Sequence, residues 1–147
     1  MLVQRLKECV VKIVIDTNVL VSGIFWHGFP SHVLEFWIEK QAFSVIASPI
    51  ILDEYIRVIG EFTHKNMLLN KNWIDFLPSA LCLIEPTFKT NVCRDPNDNM
   101  FLNVAVSSDV NFIVSGDKDL LSMKEFHNIP ILDAKSFLAK IPQSKNK

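Results

Sequence analysis

The sequence predicts an α/β fold, with helices on both faces of a parallel sheet, and three observations carry that expectation. The run from Val10 to Ile15 is β-branched apart from Lys12 and apolar on both faces, the pattern of a strand inside a parallel sheet. Short runs of that kind alternate with segments of helical periodicity, which implies parallel pairing through right-handed crossovers. The 147 residues, 49% of them hydrophobic, suffice for one domain with a full core and no disulfide or structural metal.

The elements follow in order. After the first strand, Pro30 can open a helix that places Val33, Leu34, Trp37 and Ile38 on one face. The segment FSVIA (43–47) reads as a second strand, and Ser48 and Pro49 follow as N-cap and first residue of the helix carrying IILDEYIRVI (50–59). Residues 63–80 read as helical but broken around Pro78, because proline removes a helical N–H and crowds the preceding turn. LCLIE (81–85) is expected as an edge strand, and Asp95 and Pro96 as the start of a helix through FLNVAV (101–106). NFIVS (111–115) and IPIL (129–132) complete the strands, and Asp133 caps a last helix through Ala139. The polar, basic segment 141–147 is expected to be a loose tail beyond a domain ending near residue 140.

Fifteen basic residues against sixteen acidic ones give a net charge of -1, so no global charge draws the chain to nucleic acid or an anionic membrane. Any polyanion must be met by a local patch. Cys9, Cys82 and Cys93 are odd in number and far apart, which argues against a disulfide framework or a thiolate zinc site. His27, His32, His64 and His127 show no metal-ligand spacing. The first ten residues lack a signal-peptide pattern and no stretch is apolar for the ~18 residues of a membrane span, so the expected location is the cytoplasm.

In such a fold function sits at the carboxyl ends of the strands. Asp16 ends the first strand, Glu54 lies in the second turn of the helix after the second, Asp98 stands in the first turn of the helix feeding the fourth, and Asp117 follows the fourth strand by two residues. Singly each has a plain reading: Asp16 as a loop start, Glu54 as an exposed helical residue, Asp95 as a cap, Asp98 as a carboxylate favoured by the helix dipole, Asp117 and Asp119 as turn formers. Jointly they place four carboxylates on one edge. Two like charges 4 Å apart repel by about 4 kcal/mol at an effective dielectric near 20, so four together call for protonation or a cation. All-oxygen ligation suits Mg²⁺ or Mn²⁺, with a phosphate as the usual partner of such an ion. Thr17 and Asn18 offer groups that orient Asp16.

These residues resemble the PIN domains, metal-dependent nucleases that include the VapC-type toxins of prokaryotic toxin-antitoxin pairs. The resemblance runs from about Val10 to Ala139 and rests on four motifs in order: VIDTNVLVSG (14–23), SPIILDE (48–54), DPNDNMFLNVA (95–105) and VSGDKDLL (114–121). It implies a three-layer α/β/α sandwich around a five-stranded parallel sheet, a single nuclease domain over residues 1–140, Mg²⁺ or Mn²⁺ dependence, and endonucleolytic cleavage of single-stranded RNA. It also implies a homodimer captured by a small antitoxin protein. Carried over, the acids fall on Asp16, Glu54, Asp98 and Asp117, as metal ligands and catalytic residues. Asp119 is auxiliary, Asn18 and Ser115 are supports, and Ser115 stands where the family usually has threonine. Asp16 and Asp98 are expected to hold the principal ion, and Glu54 and Asp117 to complete a weaker site. Arg57, Lys65, Arg94 and Lys118 are candidates for steering phosphates, and Trp26 or Phe25 for stacking bases.

Two rival readings differ in class. A phosphatase with an aspartate nucleophile needs a second acid two residues after the first, and Asn18 stands there. A non-catalytic nucleic-acid-binding or scaffolding module would keep the acids without turnover.

Overall fold

The computed structural model describes residues 10–62 and 67–141. Cys9 and the chain start, His64, Lys65, the first part of the expected helix at 63–66, and the tail from 142 lie outside them.

The central strand β1 (Val11–Ile15) pairs in parallel with β2 (Phe43–Ala47) on one side and β4 (Phe112–Val114) on the other. Ile13, Val14 and Ile15 are all fully buried, which is why the run is apolar on both faces. Beyond β2 comes β3 (Cys82–Leu83), also parallel. Beyond β4 come β6 (Ile129–Leu132), parallel, and then β5 (Glu125–Phe126), antiparallel to β6. The order is β3-β2-β1-β4-β6-β5. The expectation of five strands is thus corrected to six. His127 and Asn128 both have positive φ and close a two-residue hairpin that adds Glu125 and Phe126 to the edge.

Seven helices are described: α1 (Thr17–Phe25), α2 (Phe29–Ile38), α3 (Pro49–Gly60), α4 (Met67–Ala80), α5 (Asn99–Ser108), α6 (Lys118–Met123) and α7 (Ala134–Lys140). They flank the sheet in a three-layer α/β/α arrangement: α5 packs on β1, β2 and β4, while α7 packs on α2, β4 and β6. Three caps follow the sequence reading: Ser48 Oγ accepts from Ile51 N, Asp133 Oδ1 from Ser136 N, and Asp95 Oδ1 from Asn97 N. Asp95 caps a single 3-10 turn (Pro96–Asp98), from which α5 continues. Ile141 is buried. No described helix is long and apolar enough to cross a membrane.

Two helices depart from expectation. Pro78 does not break α4, because it lies in the last turn, where one missing N–H interrupts little, and the fully buried Leu77 anchors that end. The helix α1 begins directly at Thr17, with Asp16 as its N-cap accepting from Asn18 N. Inside it, Gly23 fits closely against α2. A Cβ there would lie 2.7 Å from Leu34 Cγ and 2.7 Å from the Pro30 carbonyl oxygen. Alanine in place of a helical glycine ordinarily gains about 1 kcal/mol. Here the overlap with fixed backbone reverses the sign, and Gly23→Ala should lower stability by about 1–3 kcal/mol in urea unfolding. An unchanged or higher midpoint would show that α2 can yield.

Candidate metal centre

Neighbouring strand order reverses between β1 and β4, and a crevice opens at their carboxyl ends where such a switch occurs. The hollow there measures about 250 Å³ and is lined by Asp16, Thr17, Asn18, Glu54, Asp98, Asp117 and Asp119, with Asp95, Asn97 and Phe101 completing it. Every acid expected from sequence therefore reaches one cleft from four parts of the chain. Ser115, fully buried, lies beneath it.

Asp16 is the most firmly held. Its Oδ2 accepts from Ser115 Oγ at 2.6 Å and its Oδ1 from Asn18 N at 3.3 Å. Ser115 Oγ in turn accepts from Asp117 N at 3.0 Å, and Asp117 Oδ2 accepts from Leu120 N at 3.0 Å as the N-cap of α6. One hydroxyl thus ties the strand ends of β1 and β4 together and fixes the direction of both acids. Any residue here needs a donor and an acceptor on one short side chain, which serine supplies.

Tyr55 is a supporting residue that the sequence reading misses. Its hydroxyl, fully buried, donates to the carbonyl oxygen of Ile15, the residue before Asp16. Burial, with Asp16 and Glu54 nearby, pushes its pKa far up, so it stays a donor. The only sequence signal is its place beside Glu54, on the inward face of α3. Tyr55→Phe should cost about 1–3 kcal/mol of stability in thermal or urea unfolding, since it strands a buried carbonyl. A variant as stable as the parent would show that water replaces the hydroxyl.

The electrostatics express crowding of like charge. Burial pushes the Asp16 carboxyl up against the lowering effect of its hydrogen bonds from Ser115 and Asn18, and Asp117 and Glu54 add to the rise. Asp98 is raised to about 6, first by burial and then by Asp117, Asp16, Asp95 and Asp119. Thr17 Oγ1 is a buried hydroxyl without a hydrogen-bond partner. A set of oxygen donors that resists ionisation, with a free hydroxyl at its edge, fits a hard divalent cation.

The acids are nevertheless not drawn up around a point. Among the described residues no three His, Cys, Asp or Glu side chains stand close enough to hold an ion as they are disposed. Glu54 faces Arg57 instead, with Oε1 2.8 Å from Nη2, and Arg57 also pairs with Glu61 at 2.8 Å. That engagement argues against Arg57 as a phosphate-steering group. Arg94 is exposed and lies 3.8 Å from Asp119, too far for a close pair. Trp26 and Phe25 do not line the cleft; they cluster with Phe62, Trp26 edge-on to both phenylalanines and half exposed. The described cysteines, Cys82 and Cys93, are free thiols.

Comparison with known proteins adds two findings. Residues 12–119 match the family model described as PIN domain. An uncharacterized protein of Methanocaldococcus jannaschii is 32% identical over 127 residues, covering 83% of this chain and 81% of that protein.

Proposed function

The chain belongs to the PIN domain family, whose members are generally nucleases and commonly metal-dependent, and we propose that it is a Mg²⁺- or Mn²⁺-dependent endoribonuclease that hydrolyses phosphodiester bonds of single-stranded RNA. The observation that carries this reading is the single cleft lined by Asp16, Glu54, Asp98 and Asp117 at the carboxyl edge of the sheet.

In this reading Asp16 and Asp98 hold the principal cation, and Glu54 and Asp117 complete the site after Glu54 leaves Arg57. A divalent cation bound there makes water a better nucleophile and offsets charge developing on the leaving oxygen. The chain's own residues supply position. Ser115 and Asn18 aim Asp16, the N–H of Leu120 aims Asp117, and Tyr55 anchors the strand end behind them. Asp119 lies at the rim as an auxiliary, and Thr17 offers a hydroxyl to a ligand in the cleft. As part of the same proposal the protein acts in the cytoplasm as the toxin of a type II toxin-antitoxin pair, as a homodimer captured by a small antitoxin protein. Family membership supports that role, and the exposed apolar side chains of Trp26, Phe29 and Ile50 offer surface to a partner.

The test is incubation of the purified protein with defined single-stranded RNA and DNA in Mg²⁺, Mn²⁺ or EDTA. Cleavage of RNA abolished by EDTA is expected, and cleavage indifferent to EDTA would overturn the proposal. A toxin should also halt growth and translation on induction, and unaffected growth would overturn that part alone. A second reading, a non-catalytic module, draws on the Glu54–Arg57 ion pair, which occupies one of the four acids. RNA binding without cleavage in any cation would favour it.

A further inference from the structure

A second hollow, about 210 Å³, adjoins the acid cleft, and its walls include Val92, Arg94, Asp98, Asp119, Ser122 and Met123. Asp98 and Asp119 line both hollows, so the two lie side by side with these residues as their shared wall. Their chemistry differs. The cleft is lined largely by carboxylates, whereas the second hollow sets apolar Val92, Leu120 and Met123 beside Ser122 and Arg94, with Asp98 and Asp119 only along the shared wall. Val92 is 57% exposed, an apolar surface left open next to a charged site. The hollow is smaller than a typical site for a whole ligand, and it suits a flat ring rather than a full nucleotide. Among the described residues Arg94 is the only basic side chain in the lining of either hollow. Its pairing with Asp119 is loose and its side chain 85% exposed, so it is available to an incoming anion.

Resting on the nuclease reading above, we propose that this hollow receives the nucleobase next to the scissile phosphodiester, one ring face against Val92 and Met123, while Arg94 takes the phosphate beside that base. A strand lying across the shared wall would place one phosphate at the acids and the neighbouring base in the apolar recess. The hollow then influences which bond is cut, and Arg94 contributes affinity that is indifferent to sequence.

Three full-length variants test this, each first checked by its melting curve: Val92→Phe, which fills the recess, Met123→Ala, which enlarges it, and Arg94→Ala. Cut sites are mapped on a mixed-sequence single-stranded RNA in Mn²⁺, and binding of the four nucleoside 5′-monophosphates is followed by NMR on the unsubstituted chain and on Val92→Phe. Val92→Phe and Met123→Ala are expected to change the ratio between cut sites by roughly fivefold or more, the worth of one base contact. Arg94→Ala should keep the pattern, raise KM, and lower the salt slope by about one. A pattern unchanged by both recess variants overturns the subsite while leaving the nuclease intact. Nucleotides that perturb residues around Val92 and Met123 without any strand cleavage support the subsite and overturn the nuclease reading instead. Nucleotide shifts that survive Val92→Phe unaltered also overturn the subsite.

Discussion

Asp16→Asn and Asp98→Asn should each lower divalent-ion-dependent RNA cleavage by at least about a hundredfold without unfolding the protein, measured as initial rates on a labelled single strand beside melting curves. The exchange keeps the size of each side chain and removes the charge that a hard cation requires. At Asp16 the amide oxygen can still accept from Asn18 N or Ser115 Oγ, so the strand end stays anchored. At Asp98 the loss of a partly buried, repelled carboxylate should raise the melting temperature of the cation-free protein, because burial first, and then Asp117, Asp16, Asp95 and Asp119, act against its ionised form. Lower activity together with equal or greater stability separates a ligand from a structural residue. Ser115→Ala should fall between, losing roughly 10- to 100-fold, since it loosens Asp16 without removing a charge. Cleavage at parental rates by either aspartate variant would remove that residue from the metal site.

The four acids are legible in the sequence because each follows a signal that is local: the end of a β-branched run for Asp16, a Ser-Pro helix start before Glu54, an Asp-Pro start before Asp98, a strand and glycine before Asp117. Strand limits at Phe43–Ala47 and Ile129–Leu132 are legible for the same reason. What escapes is set by contacts between distant parts of the chain. The helix Thr17–Phe25 carries Val19, Leu20 and Val21 in a row, all buried, and that run mimics a strand more than an amphipathic helix. Its cap is Asp16, so one residue serves both the helix start and the site. Tyr55 acts across 40 residues on the Ile15 carbonyl, a pairing no spacing rule shows. The helix Lys118–Met123 and the strand Glu125–Phe126 are too short to display a period, and the turn between β5 and β6 uses His127 and Asn128 at positive φ without a glycine to announce it. The engagement of Glu54 by Arg57 is likewise invisible, although it sits three residues along one helix, because the acid has a competing use in the cleft.

The other large effect expected is a cation-dependent rise in stability that grows with pH. Asp98 titrates near 6 in the folded chain against 3.8 for an ordinary aspartate, and burial raises Asp16 in the same direction. Between the unfolded and folded values the folded protein binds more protons than the unfolded one, so without a cation stability falls as pH rises from about 4 through 6. Asp133 runs the other way: the Ser136 N–H holds its carboxyl low, so its contribution is lost only as the pH falls below the ordinary aspartate range. A divalent cation binds the ionised acids and competes with their protons, so it should stabilise weakly at pH 5 and strongly at pH 7.5. At an ion concentration a hundred times its Kd the gain is about 2.7 kcal/mol, or roughly 5–10 °C in Tm for a chain of this size. Melting curves in EDTA, Mg²⁺ and Mn²⁺ at the two pH values test it, and Asp98→Asn should flatten both the pH dependence and the cation effect. Equal shifts at pH 5 and 7.5, or shifts that persist in Asp98→Asn, would place the cation away from these acids.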